Sequence, residues 1–251
     1  MKTIFIVILC LPVLLGTAFC QERDAGEIVQ ASFDYYRGET STSRVEMTVH
    51  RPDWERSFII DVWTEGMDES LFRVLAPPKD RGNGTLKKGR EMWMYNPKVN
   101  RVIKVPPSMM SQAWMGSDFS NNDLAKSDAL LEYYTHKMVG TDTHEGKKVY
   151  IIESLPKPRA PVVWGKQVLR IREDNIFLEE AFYDEDMIPV KVMAAHDIRM
   201  LGGKLFPALW SMKKADQEDE YTQLKYLELE FDVDIQGDTF TLSNLRSPVR
   251  R

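Results

Sequence analysis

Arg44-Val45-Glu46-Met47-Thr48-Val49-His50 is the stretch whose reading decides the fold class. Three apolar side chains alternate with four polar ones. A period of two belongs to a strand with one face in a core and the other in water. Working outward, Phe58, Ile60 and Val62 repeat the stripe and stop at Gly66. Leu71-Phe72-Arg73-Val74-Leu75 follows and closes at Pro77-Pro78. Apolar runs punctuated by Gly and Pro are the mark of consecutive antiparallel strands. On the other side, Ala25, Ile28, Val29, Phe33 and Tyr36 recur at spacings near three and four. That predicts one helix from Asp24 to Arg37, stopped by Gly38.

Further along, Glu91-Met92-Trp93-Met94-Tyr95 is apolar on both sides, as expected of a strand covered on both faces. Asn96-Pro97 breaks it and Arg101 to Val105 begins a partner strand. Gly82-Asn83-Gly84 reads as a tight turn. Ser120 to Tyr134 is expected to be helical, with Asn121 or Asn122 as its cap. Strands are predicted at Lys148–Leu155, around Leu169 and Ile171, and at Phe177–Tyr183, Pro189–His196 and Thr222–Asp232. In the last of these the apolar phase slips between Tyr226 and Leu227, which signals a bulge. Thr239 to Leu245 is a short closing segment. No repeat or low-complexity linker divides the chain. The expected fold is mainly β with α: a single curved antiparallel sheet, with two or three helices over its open side and an apolar hollow between them.

The first twenty residues have the layout of a secretory signal: Met1-Lys2, an apolar run from Thr3 to Leu15, and small residues ahead of Gln21. That apolar run is short for a bilayer crossing, which takes about 20 residues. The expectation is export to the periplasm and a mature domain over 21–251. Lipid anchoring at Cys20 is not expected, because Thr17 and Phe19 make a poor lipobox. Both cysteines, Cys10 and Cys20, lie in the signal, so the mature chain has no thiol nucleophile or thiolate metal site. The formal charge of −5 becomes −6 once Lys2 is removed, with both signs interspersed, which argues against nucleic acid as partner.

No catalytic constellation emerges. His50, His136, His144 and His196 are scattered, the first and last in strands and the middle two near a turn, and no metal or cofactor is expected from them. There is no nucleophile elbow and no Gly-rich phosphate loop. Asp118 and Asp123 would hold a cation or serve as an acid pair in a hydrolase, but a helix start explains carboxylates there at lower cost. Asp184-Glu185-Asp186 reads as a charged hairpin turn. The unusual feature is Met109, Met110, Trp114, Met115 and Phe119 in a segment punctuated by Pro106, Pro107 and Gly116. Flexible, polarizable Met suits a surface that accepts variable apolar partners. The segment is either plain core or a lid over the hollow.

These residues carry a family resemblance. Met92-Trp93-Met94-Tyr95-Asn96-Pro97, Asn100 to Pro106, and Trp114-Met115-Gly116-Ser117-Asp118-Phe119-Ser120-Asn121-Asn122-Asp123-Leu124 resemble the outer-membrane lipoprotein-sorting protein family. Lys157-Pro158 with Ala160 to Gly165, Leu201-Gly202-Gly203 with Pro207, and Phe240 to Leu245 fit it as well. The resemblance implies a LolA/LolB-like incomplete barrel lidded by helices, enclosing a cavity for lipid acyl chains. It implies a non-catalytic carrier of lipid or lipoprotein. On that reading the candidate lining and lid are Phe58, Ile60, Val62, Trp93, Tyr95, Met110, Trp114, Met115 and Phe119. The alternative is an accessory module that docks an inner-membrane transporter permease through the Met/Trp segment and carries no lipid.

Overall fold

A computed structural model describes residues 23–125 and 128–247; the signal expected over 1–20 lies outside the described residues. Asp24 caps the first helix, α1 (Ala25–Arg37), by accepting the Gly26 N–H at 2.8 Å. Gly38 ends it at φ 65°, its N–H bonded to the Asp34 carbonyl. A Cβ there would also sit 2.9 Å from the Phe231 ring, so the stop needs glycine twice over.

Among the described residues thirteen strands follow. They are β1 (Thr40–Arg51), β2 (Trp54–Glu65), β3 (Glu69–Ala76), β4 (Gly84–Lys88), β5 (Glu91–Asn96), β6 (Arg101–Lys104), β7 (Tyr134–His144), β8 (Lys147–Pro156), β9 (Lys166–Arg172), β10 (Phe177–Tyr183), β11 (Pro189–Leu201), β12 (Lys204–Lys214) and β13 (Tyr221–Phe231). They form one antiparallel sheet in the order β6-β5-β4-β3-β2-β1-β13-β12-β11-β10-β9-β8-β7, with β6 and β7 as its two edges. The sheet is mainly hairpin-built, and pairing of β1 with β13 joins its two halves. It is curved and does not close into a barrel.

Alternation gives the two faces their character. Val45, Met47 and Val49 are buried on the inner face of β1. On the outer face Arg44 meets Asp61 of β2 through two bonds of 2.8 and 3.2 Å, and Thr48 meets Ser57. The expected bulge is present: Arg44 lies opposite Glu228 and Val45 opposite Tyr226, leaving Leu227 over. One extra residue lets Leu224 and Tyr226 before it, and Leu229 and Phe231 after it, all reach the inner face.

Several local expectations are corrected. Among the described residues of 120–134 there are two short helices, α2 (Asn121–Ala125) and α3 (Ala129–Tyr133). The α2 cap is Ser120, whose Oγ accepts the Asp123 N–H while Asp123 Oδ2 accepts the Ser120 N–H, a reciprocal capping box. His136 lies within edge strand β7 and His144 closes it, so only the second is next to a turn. Strand β11 runs on to Leu201, past the His196 expected as its end. Strands β4, β7 and β12 have no counterpart in the sequence reading. A last helix, α4 (Leu242–Leu245), covers the outer face of β3–β5 and buries Leu71 and Leu86 beneath Phe240 and Leu245.

Candidate functional site

Helix α1 lies across the inner face of the far half of the sheet, with Ile28 and Val29 wholly buried against Ile152, Leu169 and Ile171. Residues 106–125 cross the inner face of the other half. Between these covers and the sheet lies a cavity of about 310 Å³. That is at the lower end of the usual small-molecule range, roughly 300–1,000 Å³. An aromatic cluster forms one wall: Tyr36 stacks on Phe206 at 5.2 Å and meets Trp210 edge-on at 5.5 Å, and Phe206 meets Tyr226 at 5.2 Å.

The covering strap is held at three places. Trp114 Nε1 donates to Thr85 Oγ1 of β4 at 3.0 Å. Asp118, with no exposed side-chain surface, accepts Arg51 of β1 at 2.9 Å and the Thr222 hydroxyl of β13 at 2.7 Å. Asp123 pairs with Lys191 of β11 at 2.5 Å. Its own turn is tight: the Trp114 N–H meets the Phe119 carbonyl at 2.7 Å, and Met115 between them has φ 53°. Asp118 and Asp123 therefore each answer a cation of their own, and the geometry assigns them anchoring roles.

The nine candidate residues fall into distinct places. Ile60, Val62, Trp114 and Phe119 line the cavity. Phe58 is on the same face, packed beneath Trp114 with Met47, Val49 and Val74, and Met115 packs against that group. Met110, within the strap, packs against Met92, Val105 and Ala125 and does not line the cavity. Trp93 and Tyr95 belong to the opposite face, beneath α4 and Phe240; the inward residues of β5 are Met92 and Met94.

The cavity also holds polar groups that the sequence reading missed. Glu180 of β10 has its carboxyl pushed up to about 8, by burial first and by Asp123 second, while Lys191 pulls the other way. Among the described residues its carboxyl has no hydrogen-bond partner. Lys191 Nζ also lies 5.1 Å from the rings of both Trp164 and Phe182. Trp210 Nε1 is buried and has no hydrogen-bond partner among the described residues. Arg37, at the end of α1, lines the other end with Ser70, Ser41 and Thr64. Phase was the available signal: Phe206, Ala208, Trp210 and Met212 alternate as in any strand, with Pro207 masking the run. Among the described residues no three His, Cys, Asp or Glu gather in a metal-binding arrangement, and no helix is long and apolar enough to cross a membrane.

Comparison with known proteins accords with this geometry. The model of a family described as "Uncharacterized protein" matches residues 66–247. A solved structure designated an outer membrane lipoprotein-sorting protein domain, from Vibrio parahaemolyticus, is similar with a TM-score of 0.77 at 20% identity, covering 89% of this chain and 98% of that one. A DUF1329 family protein from Desulfovibrio piger gives 0.79 at 21% identity, covering 88% and 97%. A LolA superfamily protein from Nitrosomonas europaea gives 0.73 at 20% identity, covering 89% and 100%. No curated protein matches the sequence. The chain belongs to the family of that model, and its fold is that of the LolA-like outer-membrane lipoprotein-sorting proteins.

Proposed function

We propose that the protein is a non-catalytic periplasmic carrier that shields an acyl chain, of a lipid or a lipoprotein, while it crosses water. The observation that carries this reading is the cavity itself, walled by aromatic and aliphatic side chains between the curved sheet, α1 and the strap. Each buried methylene gains about 0.8 kcal/mol, so a sixteen-carbon chain resists leaving a membrane by roughly 12 kcal/mol unless another apolar site receives it. The cavity supplies such a site, and Ile60, Val62, Trp114 and Phe119 are its lining on the strap side. The signal expected over residues 1–20 supports a periplasmic location, and an inner-membrane transporter is the natural donor of cargo.

The test is native mass spectrometry of the protein exported with its own signal and purified without detergent, alongside an organic extract. Discrete added masses matching fatty acid, phospholipid or an acylated protein are expected. A clean apo mass that stays clean after lipid is added would remove the carrier reading in favour of a docking module.

A further inference from the structure

The cavity is electrically lopsided. At the α1 end, Arg37 Nε donates to the Gly66 carbonyl at 3.2 Å and Nη2 to Ser70 Oγ at 3.1 Å. The guanidinium has five N–H donors, so the rest of the fork is left for the cavity that Arg37 lines. Close by, Lys87 of β4 is 1% exposed and donates its Nζ to the Met67 carbonyl. Burial pulls both cations below their ordinary pKa values, and Arg37 lowers Lys87 further. Asp128 acts on both and Asp68 on Lys87, but among the described residues no carboxylate comes within ion-pair distance of either. The carbonyls at the end of α1 offer only partial charge. A buried lysine beside a half-buried arginine, without a full counter-charge, is costly, and an anion brought by a ligand would offset that cost. The opposite end is the reverse: there Asp123 already holds Lys191, and Glu180 sits beside them as a carboxyl.

Resting on the carrier reading, we propose that the cavity selects a lipid with an anionic headgroup, a carboxylate or phosphate, seated on Arg37 and Ser70 with Lys87 behind. The chain then runs along the Tyr36, Phe206 and Trp210 wall toward Glu180. A planar guanidinium suits the paired oxygens of either head. At the far end Lys191 is already held by Asp123, so that end offers an anionic head no uncompensated cation.

The experiment is calorimetric titration of the delipidated protein with dodecanoate, with dodecan-1-ol, and with acetate and inorganic phosphate as heads without chains. Dodecanoate should bind at least about tenfold more tightly than the alcohol, in line with a charge-assisted bond in a dry site. Arg37→Gln should erase that preference while the alcohol still binds, and Arg37→Lys should keep most of it. Equal binding of acid and alcohol by the natural protein would overturn the headgroup proposal and leave the carrier reading standing. Acetate or phosphate binding as well as dodecanoate would overturn it in favour of a plain anion site. Failure of both amphiphiles to bind would remove the carrier reading and the proposal together.

Discussion

Two buried carboxyls near the cavity have opposite surroundings. Asp118 is met by both Nη atoms of Arg51 and by the Thr222 hydroxyl, which also accepts the Asp118 N–H, and it fastens the strap where β1 and β13 join. Glu180 has Asp123 of α2 and Lys191 of β11 nearby, and these two satisfy each other. With its pKa raised from 4.5 to about 8, Glu180 stays protonated in the native protein over an interval where the unfolded chain has released its proton. The native state then binds more protons than the unfolded one, so stability falls as pH rises from about 4.5 to about 8. Its full contribution is present below pH 4.5, and it is lost by the time the native carboxyl ionises. Urea denaturation across that range should show a decline of a few kcal/mol from this group, flattened in Glu180→Gln. An unchanged pH slope in that variant would show the carboxyl to be ionised or solvated. None of this was legible in the sequence, where Glu180 is one polar residue in an alternating strand. Its burial depends on α2 and the strap, which are remote in the chain.

The elements divide into those whose pattern is local and those whose pattern needs a partner. Helix α1, strands β1 to β3 and the β13 bulge were readable because capping, period and phase lie within a dozen residues. Strand β4 was hidden by brevity: Leu86 is its one large apolar side chain, and Thr85 and Lys87 are buried beside it. Strand β7 was hidden because it is an edge, with polar residues and a register shift at Met138/Gly140, features that discourage further pairing. Strand β12 was hidden by Pro207. Its ladder to β13 spans only Leu209–Lys213, so the proline sits beyond the paired stretch, level with the bulge that frees Leu227. The segment between β8 and β9, which brings Val162, Val163 and Trp164 to the cavity, depends on one glycine. A Cβ on Gly165 would lie 2.3 Å from the Asp184 carbonyl oxygen and 2.8 Å from Glu185 Cα. Both are backbone atoms of the β10–β11 turn and cannot swing aside. Gly165→Ala should cost about 1–3 kcal/mol in chemical denaturation and shift Trp164 next to it. A cost below about 0.5 kcal/mol would mean that the segment is not pressed against that turn.

At the scale of the molecule, a thirteen-stranded sheet curls far enough to hold a cavity without closing, and covers on both faces settle which side chains see it. That is why the inward residues of β2 were readable and those of β5 were not. Val62 and Ile60 follow the phase of a half-buried strand, whereas Glu91 to Asn96 is apolar on both sides, and α4 on the outer face claims Trp93 and Tyr95. The same division offers the most direct test of the central claim that the cavity takes an acyl chain. Of the six tryptophans, Trp114, Trp164 and Trp210 line the cavity, while Trp54 is half exposed and Trp63 and Trp93 pack on the outer face. Titration with a bromine-labelled fatty acid, a short-range fluorescence quencher, should saturate at one chain per protein and quench those three alone. A variant with the three changed to Phe should then give no quenching. Quenching of Trp54, Trp63 or Trp93 instead, or none in the natural protein, would contradict the account.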